Sequence, residues 1–217
     1  MPSNNRYKYI TFQNMFWLFI SASMIGVILE GFWCLIRSGR WETHVVSVWG
    51  PFCIIYGIGA VGFFIGSAYL NNKKLYVQFL VFALIANIIE YLCGWVLEYG
   101  LHMKAWDYSS HFLNIRGYIS LKMTLIWGML GIGFSRIAVP FTIQIFEKMQ
   151  TKAWRISCMI FAVFMAINLI VTSICLIRWK NRHEGRLPVS EIGRWIDENY
   201  DDYKMERRFC EWHFIDE

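Results

Sequence analysis

The chain has 217 residues, 56% hydrophobic and 18% aromatic, with 17% charged and a formal net charge of +5. Soluble domains carry about a quarter charged residues. Here the charges cluster between long apolar runs, which excludes an ordinary water-soluble domain and indicates an all-α, polytopic membrane helix bundle of about five transmembrane helices. The modest positive balance suits loops facing anionic lipid heads, and no basic stripe interleaved with stacking aromatics points to nucleic acid.

Residues 1–11 form a polar N-terminal segment, followed by a first spanning helix over about 12–36. No small-residue cleavage site follows at the usual distance, so this helix is expected to remain as an anchor. A second helix is expected over 49–70, a tight Asn71-Asn72-Lys73-Lys74 turn next, and a third helix over 75–99. The fourth covers 119–140 and the fifth 154–177, completing a transmembrane bundle over 12–177. Pro140 should end or kink its helix, leaving FTIQIFEKMQTKAW as an amphipathic surface segment. Residues 178–217 read as a charged tail, broken at Pro188, with one short amphipathic helix opened by Ser190 as N-cap. The positive-inside rule favours neither orientation strongly; the first helix tips the reading toward an inside N-terminus.

Carboxylates inside apolar helices carry the most information. Such a group costs about 2.5–3.5 kcal/mol at a helix centre and normally faces protein or a water-filled cavity. Glu90 lies deepest, and helical spacing puts Asn87, Glu90, Gly94 and Glu98 on one face of the third helix. Ser23, Gly26, Glu30 and Arg37 form a similar stripe on the first. If the two faces meet, Glu30, Glu90 and Glu98 line a polar pocket, with a buried ion pair between Glu90 and Arg116 or Arg136 as the structural competitor.

The loops RSGRWETHVVSVWGP and LHMKAWDYSSHFLNIRG each mix Trp, an acid, a His and a Gly before re-entering an apolar helix. Trp106, Tyr108, His111 and His44 read as interfacial loop residues. Asp107, Asn114 and Arg116 are candidates for a lid over the pocket, Asp107 and Arg116 turned toward the acids; Asp107 could also cap a short turn with Ser109 or Ser110, since Asp and Ser bond their own backbone readily. His102, Asp107 and His111 lack the regular spacing of a metal site, so neither metal nor cofactor is expected. The six cysteines form no C-x-x-C pair and read as small hydrophobes in a packed bundle. Leu29-Glu30, Trp41-Glu42 and Gly50 are echoed by Leu97-Glu98, Trp106-Asp107 and Gly117, which suggests a parallel two-helix repeat.

Several of these residues also carry a family resemblance. Gly50-Pro51-Phe52-Cys53, Ile55-Tyr56-Gly57-x-Gly59-Ala60, Glu30, Glu90 to Glu98, Trp106-Asp107-Tyr108-Ser109, Asn114, Gly117-Tyr118-Ile119-Ser120-Leu121 and Trp127-Gly128 resemble the type IV, CmpB-like ABC transporter permeases, small bacterial integral membrane proteins. The resemblance spans about Gly26 to Pro140; His44-Val45-Val46 stands where Asn-Arg-Gly is expected, and Ile54 where Pro is expected. It implies transport, but names neither a substrate nor a catalytic residue. With no G-x-x-x-x-G-K-[ST] motif, transport would need an ATPase or other protein partner, or an ion gradient.

The expected function is a permease-like, multi-pass protein of the cell membrane. It would bind or move a small polar or amphipathic ligand among Glu30, Glu90, Glu98, Asp107, Arg116, Asn87 and Asn114, in contact with membrane lipids and as a candidate homo-oligomer. Two alternatives differ in class: a membrane-embedded enzyme acting on a lipid or isoprenoid by carboxylate and His acid–base chemistry, and a non-catalytic scaffold or regulator. A non-enzyme is the favoured reading.

Overall fold

A computed structural model of the chain describes residues 6–41 and 44–215. Its helices are α1 (Phe12–Ser38), α2 (Ile54–Leu70), α3 (Leu75–Val96), α4 (Leu121–Gly133), α5 (Val139–Lys148), α6 (Lys152–His183), α7 (Glu191–Asn199) and α8 (Asp202–Arg208). Two short strands, β1 (Met103–Lys104) and β2 (His213–Phe214), pair antiparallel. Among the described residues, four spans are long and apolar enough to cross a membrane: Phe12–Ser38, Leu75–Leu101, Leu121–Lys148 and Lys152–His183. The fifth apolar helix, α2, has 17 residues, about 25 Å at 1.5 Å per residue. The protein is an all-α membrane helix bundle.

Large apolar side chains such as Phe32, Ile36, Leu80, Leu84 and Ile160 point outward, as lipid contact requires when hydrocarbon replaces water. α1 packs on α2, α2 on α3, α3 on α4, and α6 returns against α1. Pro140 does not end the fourth span. A π-helical turn over Phe134–Ala138 precedes it, and the proline occupies the first turn of α5, where its missing N–H costs least. The segment read as a surface helix from 141 therefore continues α4. The second helix begins at Ile54 rather than 49, because Gly50 takes a φ of 72° and Pro51 follows it. The tail forms two helices, not one, with Ser190 accepting from the Gly193 N–H and Asp201 from the Lys204 N–H as their N-caps.

The α1–α2 and α3–α4 hairpins share an internal pattern. Gly26-x-x-Leu29-Glu30 on α1 is matched by Gly94-x-x-Leu97-Glu98 at the end of α3 and in the π-helical turn, Leu97–Leu101, that continues it. A Cβ on Gly26 would strike the Tyr56 ring, and one on Gly94 would strike the Tyr118 ring, with carbons at 2.8 Å in the second case. Each tyrosine then sits by the glutamate one turn further along: Tyr56 donates to Glu30 at 2.8 Å, and Tyr118 lies beside Glu98, its hydroxyl closing no hydrogen bond of good geometry. Glu42, the acid of the Trp41-Glu42 echo, lies outside the described residues.

One end of the bundle carries residues 39–41, 44–53, 102–120 and the tail as far as 215. The tail docks there through Arg208, whose Nε donates to the Ser47 carbonyl at 2.9 Å, and through a 2.9 Å bond from Trp49 Nε1 to the Tyr200 hydroxyl. Met103, Trp179, Ile196, Met205 and Phe209 form its apolar core. Arg178 and Arg182 converge on Asp197 at 2.6 Å each. The opposite end has only short connections, joined by a Gln13 bond to the Met149 carbonyl and an Arg6 bond to Ser135.

Candidate functional site

WDYSSHFLNIRGYISLK folds as a hydrogen-bonded knot between α3 and α4. Asp107 Oδ1 accepts from the Ser109 N–H at 2.8 Å and from the Ser109 hydroxyl, while Oδ2 pairs with Lys104 at 2.8 Å. Lys104 and Ser109 together hold the Asp107 carboxyl down at about 2. Asn114 bridges the Ser109 and His111 carbonyls and accepts from the Gly117 N–H at 3.2 Å. Gly117 has a φ of 72°, and a Cβ there would meet Asp107 and Ser109, so only glycine closes the knot. Tyr108 N–H donates to the Gly117 carbonyl at 2.8 Å, and Trp106 Nε1 donates to the Tyr118 carbonyl at 2.9 Å.

The knot fixes two tyrosines against the carboxylates of the bundle. Tyr108 sits beside Glu90, with Glu30 and Glu211 also in its electrostatic reach. Burial, followed by the charges of Glu90 and Glu30, holds its phenol well above the ordinary range. Glu90 is buried at 6% exposure and faces the Trp127 indole and the Tyr108 hydroxyl. Its Oε2 closes no hydrogen bond of good geometry, nor does Trp127 Nε1. Tyr118 is also buried, and burial together with neighbouring Glu98 pushes its phenol up to about 12.

Glu30 stands at the other margin of this cluster. It accepts from Tyr56, and its Oε1 lies 3.4 Å from Nδ1 of the buried His44. Glu211, from the tail, meets the same nitrogen, and Cys34 Sγ lies 3.1 Å from Nε2.

The predicted residues thus divide. Glu30 and Glu90 approach one neighbourhood through Tyr108, and His44 joins Glu30 there. Glu98 keeps to Tyr118, and Asn87 accepts a 3.0 Å bond from Thr124 that ties α3 to α4. Asp107 and Asn114 serve the knot instead of facing the acids. Arg116 lies exposed over the Tyr99 ring at 5.4 Å and also donates to its hydroxyl. Trp106 and His111 brace the loop, His111 through a 3.3 Å contact with Ser120 and a stack on Tyr108. Among the described residues Glu90 forms no ion pair with Arg116 or Arg136. Tyr56, Trp127 and Glu211 were not singled out from the sequence as site residues. The recurrence of Gly26 and Glu30 as Gly94 and Glu98 was the available signal for the tyrosines, while nothing local marks Glu211.

Comparison with known proteins gives one finding. The family model described as "Putative ABC-transporter type IV" matches residues 17–173, which includes every residue of the cluster except Glu211. No curated protein and no solved structure matches the chain.

Proposed function

The chain belongs to the ABC-transporter type IV family over residues 17–173, and from that premise we propose that it is the membrane-embedded part of a transport system whose ligand meets the Glu30–Tyr56–Glu90–Tyr108 cluster. The ligand is small and polar or amphipathic. The observation that carries this reading is Glu90, a buried carboxylate on an apolar helix with an oxygen left without a hydrogen bond of good geometry. Leaving such a group unsatisfied is costly in hydrocarbon. A cationic or hydrogen-bond-donating ligand, or a proton, would relieve that cost. Tyr56, Tyr108 and Trp127 add hydroxyl and indole groups to the aromatic walls around it, the mixture common in small-molecule sites.

Energy would come from a separate ATPase or an ion gradient, since no phosphate-binding G-x-x-x-x-G-K-[ST] segment occurs in the chain. The host compartment is the cell membrane. Glu98, Asn87, Asp107, Asn114 and Arg116 support the site from outside the cluster by holding α3, α4 and the loop between them.

Membrane vesicles bearing the wild-type chain or Glu90→Gln, inserted to equal levels, provide the test. Both are loaded with a cell metabolite extract, and solutes crossing the membrane are compared by mass spectrometry. At least one solute should move about tenfold more slowly in Glu90→Gln. Identical profiles would remove the proposal.

A further inference from the structure

A second site lies at the margin of the cluster. Glu30 on α1, His44 in the α1–α2 connection and Glu211 in the tail each turn one donor atom inward, all within 4.8 Å of one another. His44 is 9% exposed, and its Nδ1 is buried without a hydrogen bond of good geometry. That nitrogen points between the two carboxylates, 3.4 Å from Glu30 Oε1. The Glu30 contact equals the edge of a tetrahedral zinc site, about 3.4 Å given metal–ligand bonds near 2.0–2.1 Å; Glu211 stands closer to the nitrogen than such an edge and would draw back to admit the ion.

The surroundings match what a metal-bound histidine needs. A ligating imidazole donates its other N–H to a neighbour, and a ligating carboxylate is itself hydrogen-bonded. Here Nε2 faces Cys34 Sγ at 3.1 Å, and Tyr56 donates to Glu30 at 2.8 Å. One imidazole and two carboxylates form a mixed nitrogen–oxygen donor set suited to first-row divalent ions.

We propose that Glu30, His44 and Glu211 bind one first-row divalent cation of the Zn²⁺ class, and that this ion latches the tail onto the α1–α2 connection. Three protein donors leave a coordination position for water. The latch works beside the bonds from Arg208 to the Ser47 carbonyl and from Trp49 to Tyr200, so the ion adds a further attachment three residues beyond Arg208. Glu211 lies beyond the family-matched residues, and the site stands independently of the transport reading.

The test uses the full chain in detergent, stripped with a chelator and dialysed against Zn²⁺. About one Zn²⁺ per chain is expected by elemental analysis. His44→Gln and Glu211→Gln should each fall to background, while Cys34→Ser and Asp107→Asn keep the ion. Zn²⁺ should also slow trypsin cleavage at Arg207 at least fivefold in the wild type but not in Glu211→Gln. Glu211 is exposed, so its variant should fold, which gel filtration checks. A folded wild type without stoichiometric Zn²⁺, or ion content unchanged in both Gln variants, would overturn the proposal.

Discussion

At the scale of single residues, the two glycine–tyrosine contacts carry the repeat. Gly94→Leu would drive a side chain into the Tyr118 ring, and overpacking of this kind costs about 1–3 kcal/mol. Gly59 has open space at its Cβ position, so Gly59→Ala should leave the detergent melting temperature nearly unchanged while Gly94→Leu lowers it by several degrees. Asp107 makes a prediction about pH. Its folded pKa, about 2, lies below the unfolded value near 3.9. Its stabilisation of the loop is therefore fully present above about pH 4 and lost as pH falls through about 2. Pepsin cleavage within residues 106–120, normalised to an unfolded peptide, should rise across that window, and Asp107→Asn should abolish the step. Glu30 and Glu90 were legible because charge in an apolar helix is anomalous. The Asp107 turn with Ser109 was readable as a local device, but Asp107 and Arg116 do not turn toward the acids, because polarity alone does not distinguish a loop's internal hydrogen bonds from a pocket wall.

Among the elements, hydropathy marked all five apolar helices, and errors arose where local chemistry changes the helix without ending it. Pro140 reads as a stop, yet the π turn before it absorbs the ring, and the span runs on to Lys148. Within that turn Ser135 accepts from Arg6, 129 positions earlier, and a contact so distant leaves no local sequence mark. Ser190 was readable because an N-cap is a local device. Ser190→Ala should cost about 0.5–2 kcal/mol of α7 stability, seen as faster protease cleavage in 191–199 with the membrane spans unaffected.

For the whole molecule, the tail is the part least visible in sequence. Composition describes it as charged and leaves open that its charges face one another. Burial raises the Asp197 carboxyl, but the Arg178 and Arg182 bonds outweigh it and bring the group below its ordinary range. Asp197→Asn should weaken tail docking by about 1.5–3 kcal/mol, the worth of hydrogen bonds to a charged group, and trypsin should then cut at Arg194 and Arg207 more quickly. The bond from Arg208 to Ser47 spans 161 positions of sequence, with α2 to α7 between its ends, and this sets an order of assembly. During synthesis the Ser47 carbonyl must wait for its Arg208 partner until every spanning helix has been made. The tail can then act as a completion signal, since a chain stalled or cut before it would be inserted, with its apolar helices satisfied, yet still open at one end to proteases.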